Sequence, residues 1–121
     1  MYQLGALCYL AWGLLHLQAA DRVRQLAARQ PAGMAQGRLY QAAWNLAYFA
    51  VFVLVVAVGL NWRNDLAGYW LNLLTATVTD VGFLLFIVRP GYLPLRPALL
   101  GPALWLLAAL FSTLGVLARA T

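Results

Sequence analysis

The chain has 121 residues, of which 64% are hydrophobic and only 9% charged, and its net charge is +5. Soluble domains carry about 25% charged residues, so this composition excludes an ordinary water-exposed surface and indicates a membrane protein. The basic residues form no continuous face with exposed aromatic residues, so nucleic acid is not expected as a partner. The length suits a single domain that covers residues 1–121.

Four apolar stretches separated by polar connections predict four transmembrane helices. They cover about residues 4–20, 39–60, 66–88 and 95–118, and a bilayer core about 30 Å thick needs roughly 20 helical residues. Backbone groups in lipid must be satisfied internally, and segments such as residues 49–60 are apolar on every side, which favours helices over barrel strands. The sequence therefore predicts an all-α integral membrane protein, a bundle of four antiparallel transmembrane helices.

The first stretch is expected to remain in the protein as a span, because its start carries no basic residue and no good signal-cleavage site follows. Cys8, the only cysteine, lies within it and is interpreted as an apolar packing residue. The first connection, residues 21–38, is expected to lie in the cytoplasm and to begin as a helix that ends at Pro31.

The distribution of arginine predicts the orientation of the bundle. Six of the eight basic residues fall in the first and third connections, namely Arg22, Arg24, Arg29, Arg38, Arg89 and Arg96. Short connections rich in arginine stay in the cytoplasm, so we predict that both termini lie outside it. The composition, rich in alanine, leucine and arginine, fits a bacterial protein, and the expected location is the inner (plasma) membrane, crossed several times.

Three polar side chains are expected at a similar depth beneath the cytoplasmic face, each on a different span. At about 1.5 Å of rise per residue, His16 lies about 6 Å, Asn45 about 9 Å and Asp80 about 12 Å inside the ends of their spans. Ionisable groups within a bilayer are costly and are often functional. Histidine titrates near neutral pH, so His16 and Asp80 are the candidate catalytic acid and base.

Further polar and aromatic side chains are candidates for binding a ligand. They are Trp12, Gln41, Trp44, Asn45, Tyr48, Thr79 and Trp105. Trp12 and His16 are four residues apart, as are Gln41 and Asn45, and residues at this spacing share a helix face. A deep Trp or Tyr has a polar atom to satisfy, which favours a position facing the bundle or a ligand.

Three functions remain open on this sequence, and neither a cofactor nor a metal is expected. The first is an intramembrane pocket for an apolar or lipid-like small molecule near the cytoplasmic leaflet, whose active version uses His16 and Asp80 for isomerase- or hydratase-type chemistry. The second is a structural or assembly subunit of a larger membrane complex, in which these polar residues lock helices or bind a partner subunit. The third is a proton-linked transporter that works as a homo-oligomer, with Asp80 carrying the proton.

Overall fold

The computed structural model describes all residues, Met1–Thr121, and every regular element is helical. The elements are α1 (Tyr2–Ala28), α2 (Met34–Gly59), α3 (Leu66–Phe83, continued by a π-helical turn over Leu84–Val88), α4 (Leu95–Ala98) and α5 (Leu100–Arg119). A 3₁₀ turn, Asn61–Arg63, joins α2 to α3. The predicted all-helical fold is therefore confirmed, with four long helices and one short one.

Three segments are long and apolar enough to cross a membrane: Met34–Arg63, Leu66–Val88 and Leu95–Arg119. The helix predicted as the first span, α1, is not among them, because it is the least apolar of the four long helices. Its polar side chain His16 is buried, together with Tyr9 and Trp12. Of the polar residues that lower the hydropathy of α1, only His16 faces the interior of the bundle, while Gln3, Gln18 and the charged residues after Ala20 are exposed.

The four long helices pack as a bundle in which α1 and α3 are diagonal to each other. Helix α1 packs mainly against α2 and α5, and α3 packs against the same two helices. Glycines allow α1 to approach its neighbours closely. A Cβ atom added to Gly5 would lie 2.5 Å from Ser112 Oγ, and one added to Gly13 would lie 2.6 Å from Leu54 Cγ.

The outward faces of the bundle carry large apolar side chains. Trp44 is 77% exposed on α2 and Val78 is 73% exposed on α3, while Leu106 and Leu110 are exposed on α5. Water would disfavour such a surface, whereas acyl chains would cover it. The buried core consists mostly of small residues around Tyr9 and Trp12.

The connections follow from local sequence. Helix α1 continues beyond the first predicted span as far as Ala28, in agreement with the expected helical start of the connection. Helix α3 begins at a capped end, where the amide of Ala67 donates to Asp65 Oδ1 at 2.8 Å. Gly101 and Pro102 lie inside the fourth predicted span, and a proline within a helix predicts a distortion because it lacks one backbone hydrogen bond. The helix is indeed interrupted at Leu99, between α4 and α5.

Candidate functional site

Trp12, His16 and Asp80 form one contact cluster at the centre of the bundle. Trp12 and His16 lie one turn apart on the buried face of α1, and their rings stack with centroids 3.7 Å apart. Asp80 lies on the buried face of α3, two turns after Asn72. The cluster therefore joins the two diagonal helices of the bundle.

Both carboxylate oxygens of Asp80 face side chains of α1. The Trp12 indole Nε1 donates a hydrogen bond to Asp80 Oδ2 at 2.9 Å. The other oxygen, Oδ1, lies 3.3 Å from His16 Nε2. The second ring nitrogen, His16 Nδ1, lies 2.8 Å from the backbone carbonyl oxygen of Trp12.

This arrangement determines where the protons lie. A carbonyl oxygen only accepts, so His16 Nδ1 carries a hydrogen and donates it to Trp12 O. In that tautomer a neutral imidazole has no hydrogen on Nε2, and an ionised carboxylate has none to offer. The contact between Nε2 and Oδ1 is therefore favourable only if one proton lies between them. His16 and Asp80 are therefore placed so that one proton could be shared between them, and we call the two residues the couple.

The couple is enclosed by protein. Asp80 and Trp12 are 0% exposed and His16 is 8% exposed. Asp80 Oδ1 nevertheless has no well-aligned hydrogen bond, and 3.3 Å is long for such a bond. Buried polar atoms are almost always fully bonded. Oδ1 is thus the buried oxygen of Asp80 whose hydrogen bonding is incomplete.

The interruption of the fourth long helix lies next to the imidazole. Gly101 and Pro102 are both buried, and a Cβ atom added to Gly101 would lie 3.2 Å from His16 Cε1. Pro102 has no amide hydrogen to donate to the carbonyl of Ala98. Irregular helical backbone at membrane depth is tolerated where protein or a cavity surrounds it, as at many binding sites.

The structure places the predicted ligand residues in three different environments. Trp12 belongs to the central cluster. Trp105 is half-buried and its Nε1 donates to Thr77 Oγ1 at 2.9 Å. Thr79 is half-buried and donates to the carbonyl of Thr75 at 2.7 Å, within its own helix.

The four remaining candidates point away from the bundle on α2. Gln41, Trp44, Asn45 and Tyr48 are all exposed. The expected meeting of Asn45 with His16 and Asp80 is therefore not found. The reason is that α2 buries the opposite side of its surface, through residues such as Ala43 and Ala50.

Two apolar grooves run along the outside of the bundle. The larger, of about 450 Å³, lies between α1 and α2 and is lined by Leu17, Ala20, Asp21, Arg24, Tyr40, Ala43, Trp44 and Ala47. The smaller, of about 250 Å³, lies between α2 and α3 and includes Thr75 and Thr79. We call the first the α1–α2 groove. It contains Ala20, which is one helical turn from His16.

Charged groups stand at one end of the α1–α2 groove. Arg24 donates from both Nε and Nη2 to Asp21 Oδ1, at 2.9 and 2.8 Å, and Gln25 donates to Oδ2 at 2.9 Å. These hydrogen bonds and the charge of Arg24 hold the pKa of the Asp21 carboxyl below its usual value. This pair was not singled out from the sequence, although the i, i+3 spacing of opposite charges is a recognisable signal.

A second buried polar group lies towards the other end of the bundle. The Asn72 amide nitrogen donates to the carbonyl of Val53 at 3.1 Å and to Asn61 Oδ1 at 2.7 Å. Asn61 lies in the tight connection between the second and third predicted spans, and only 4% of it is exposed. These bonds attach α3 to α2 and to the turn between them.

Comparison with known proteins gave no match to a family model, to a curated protein or to a solved structure.

Proposed function

We propose that the protein is an integral membrane protein that binds an apolar or lipid-like small molecule beside the cytoplasmic leaflet. In this proposal all four long helices cross the bilayer as one domain, and both termini lie outside the cytoplasm. Three helices have the necessary length and hydropathy, and α1 is covered by α2 and α5. The orientation is supported by the six arginines in the two connections at one end of the bundle.

The α1–α2 groove is the proposed ligand site. Its volume of about 450 Å³ falls in the usual range of roughly 300 to 1,000 Å³ for small-molecule sites. The groove is lined by the small apolar residues Ala20, Ala43 and Ala47 and by the aromatic rings of Tyr40 and Trp44. Arg24 and Asp21 place polar groups at the end where a lipid headgroup would lie.

The observation that carries the proposal is the buried contact between His16 and Asp80, one turn of α1 from that groove. A couple that shares one proton is suited to donate it to one atom of a ligand and to take one back from another, as an isomerisation or hydration requires. Access from the groove requires the helices to separate locally. The helix is interrupted at Leu99, two residues before Gly101, which packs against His16, and this irregular turn provides a place for that movement.

The experiment is photo-crosslinking in nanodiscs with a phospholipid that carries a diazirine in its acyl chain. We expect labelled peptides from residues 17–24 and 40–47, which line the groove. Ala47→Trp fills the groove and should abolish this labelling, whereas Ala103→Trp, on an exposed position of α5, should leave it intact. Equal labelling of all four helices, unchanged by Ala47→Trp, contradicts the proposed site.

Catalysis is tested separately from binding. Molecules that co-purify with the wild type, Asp80→Asn and Asp65→Asn are identified by native mass spectrometry and then incubated with each protein. The Asp80→Asn variant should retain its bound molecule and lose the ability to convert it, while Asp65→Asn, an exposed position outside both grooves, retains both. Conversion that persists in Asp80→Asn excludes an acid–base role.

A structural or assembly subunit is the second candidate, and one observation favours it. Neither groove is lined by His16 or Asp80, so the cluster is closed in this conformation. Under this reading the same contacts only join α1 to α3. Asp80→Asn would then change stability or assembly and no conversion of a bound molecule.

A further inference from the structure

The outward face of α2 carries polar groups where the rest of the bundle surface is apolar. Gln41, Asn45 and Tyr48 follow one another at intervals of four and three residues, and all three are exposed. Phe52 and Val55 continue the same spacing, with Val55 65% exposed. We call these five residues the α2 seam. Intervals of four and three are those of a helix that pairs with another helix along its length.

The seam lies directly opposite the buried side of α2. Ala43, Ala50, Val53 and Ala57 face the bundle core, and at 3.6 residues per turn the seam falls on the far side of the helix. The Tyr48 and Phe52 rings stack along it with centroids 6.2 Å apart. The seam therefore forms a continuous ridge whose residues are exposed except Phe52, which is half-buried and packs against the core.

The amides of the seam lack partners at a depth where acyl chains offer none. No side-chain hydrogen bond within the chain involves Asn45, and Gln41 uses only its oxygen, which accepts from Arg38 at 2.9 Å. Polar side chains within a bilayer form hydrogen bonds across helix pairs. An amide group carries both donors and an acceptor, so it is complementary to an identical amide.

We propose that the α2 seam is the interface of a homodimer, in which α2 of one copy packs in parallel against α2 of a second copy. Copies inserted in the same orientation bring identical depths together, so Asn45 meets Asn45 of the other copy across a two-fold axis. A two-fold interface of this kind requires a self-complementary patch, and the seam is one. The inference depends on the membrane placement proposed above and is independent of ligand binding.

The test is disulfide crosslinking of the full chain in nanodiscs. The only native cysteine is first replaced by Cys8→Ser, and one cysteine is then introduced by Val55→Cys or by Val78→Cys. Both valines are exposed on apolar helix faces, at 65% and 73%, but only Val55 belongs to the seam. We expect rapid disulfide-linked dimers from Val55→Cys and none above background from Val78→Cys.

The amide contribution is tested with Asn45→Leu in the Val55→Cys background. We expect the dimer dissociation constant to rise about fivefold, since a cross-helix amide bond contributes on the order of 1 kcal/mol. Asn45→Gln should restore part of the affinity, because it keeps the amide. Gln18→Leu, which changes an exposed amide on α1, should have no effect.

Equal crosslinking of Val55→Cys and Val78→Cys, or tighter association of Asn45→Leu, overturns the proposal. A protein that stays monomeric in native mass spectrometry, in conditions mild enough to keep its bound lipid, also overturns it. Alkaline carbonate extraction of cell membranes that contain the protein tests the membrane placement separately from the dimer. A protein that resists extraction and remains monomeric refutes the dimer alone.

Discussion

The indole of Trp12 donates a hydrogen bond to Asp80 across the diagonal of the bundle, with 2.9 Å between Nε1 and Oδ2. This bond orients the carboxylate so that its second oxygen faces His16 Nε2 at 3.3 Å. Trp12 also accepts a hydrogen bond from His16 Nδ1 through its backbone carbonyl. One tryptophan thus positions both His16 and Asp80 through hydrogen bonds, in addition to packing its ring in the core.

Two replacements of Asp80 should show how much its hydrogen bonds contribute to the free energy of unfolding. Asp80→Leu leaves the buried Trp12 Nε1 hydrogen without an acceptor, so we expect the free energy of unfolding to fall by about 1–3 kcal/mol. Asp80→Asn keeps an oxygen for Trp12 and offers an amide hydrogen to His16 Nε2. The free energy of unfolding of Asp80→Asn should therefore fall by less, about 1 kcal/mol at most.

The measurement for both variants is denaturation in SDS followed by circular dichroism. Asp21→Asn serves as the control, because Asp21 is an exposed carboxylate on α1. Equal losses for Asp80→Leu and Asp80→Asn would show that the Trp12 hydrogen bond contributes nothing to stability.

Gly101→Ala should disturb the imidazole. The new methyl group would lie 3.2 Å from His16 Cε1, so the ring or the helix must move, at a cost of about 1–3 kcal/mol. Gly82→Ala is the matched control, since a Cβ atom there meets nothing within 4 Å. Because alanine favours the helix over glycine, Gly82→Ala should raise the free energy of unfolding by up to about 1 kcal/mol. A stability gain of the same size in both variants contradicts the close packing of α5 on His16.

Two asparagines in opposite environments give a further test. Asn72 is 0% exposed and bonds to Val53 and Asn61, so Asn72→Leu should cost about 1–3 kcal/mol by leaving those oxygens unpaired. Asn45→Leu, on the exposed seam, should change the stability of the monomer by no more than about 0.5 kcal/mol. The comparison uses SDS denaturation in conditions that keep the chain monomeric. A larger loss for Asn45→Leu would reverse the assignment of the inner and outer faces.

The charge pair at the groove predicts a pH dependence at acid pH. Hydrogen bonds from Arg24 lower the pKa of Asp21 in the folded chain, so the pair stabilises the end of α1 above the unfolded carboxyl pKa of about 3.9. That contribution is lost as the pH falls through the lower, folded pKa. Titration of the Asp21 carboxyl by carbon NMR should show the lowered pKa, and Arg24→Ala should return it to the usual value. An unchanged pKa in Arg24→Ala contradicts the pairing.

The parts of the fold that sequence predicts best are those fixed by length and polarity. Uninterrupted apolar stretches predict the helices, and Gly101 with Pro102 predicts the interruption near Leu99. The depth count placed His16 and Asp80 close enough to suggest a couple, and the structure brings them into contact. Asp80 is the one charged residue of α3, and His16 lies in the apolar stretch of α1 before Asp21, so burial against each other is favourable for both.

The orientation of α2 was beyond sequence reasoning. Gln41, Asn45 and Tyr48 do share a face, as their spacing predicts, but that face points outward. A polar stripe on a membrane helix can face the interior of its own bundle or a partner helix, so this stripe alone does not tell which side of α2 is buried. The side that faces the core is decided by small residues such as Ala43 and Ala50, which permit close packing. The burial of Asn61 also depends on a tertiary contact, with Asn72, that no local pattern signals.

The shared proton of His16 and Asp80 is the central claim, and nitrogen NMR of the protein labelled with ¹⁵N-histidine tests it most directly. His16 is the only histidine, so every signal belongs to it. We expect Nδ1 to carry a hydrogen, and the Nε2 resonance to change in Asp80→Asn and to stay unchanged in Asp21→Asn. A tautomer with the hydrogen on Nε2 and a bare Nδ1, or an Nε2 signal indifferent to Asp80→Asn, would contradict the account.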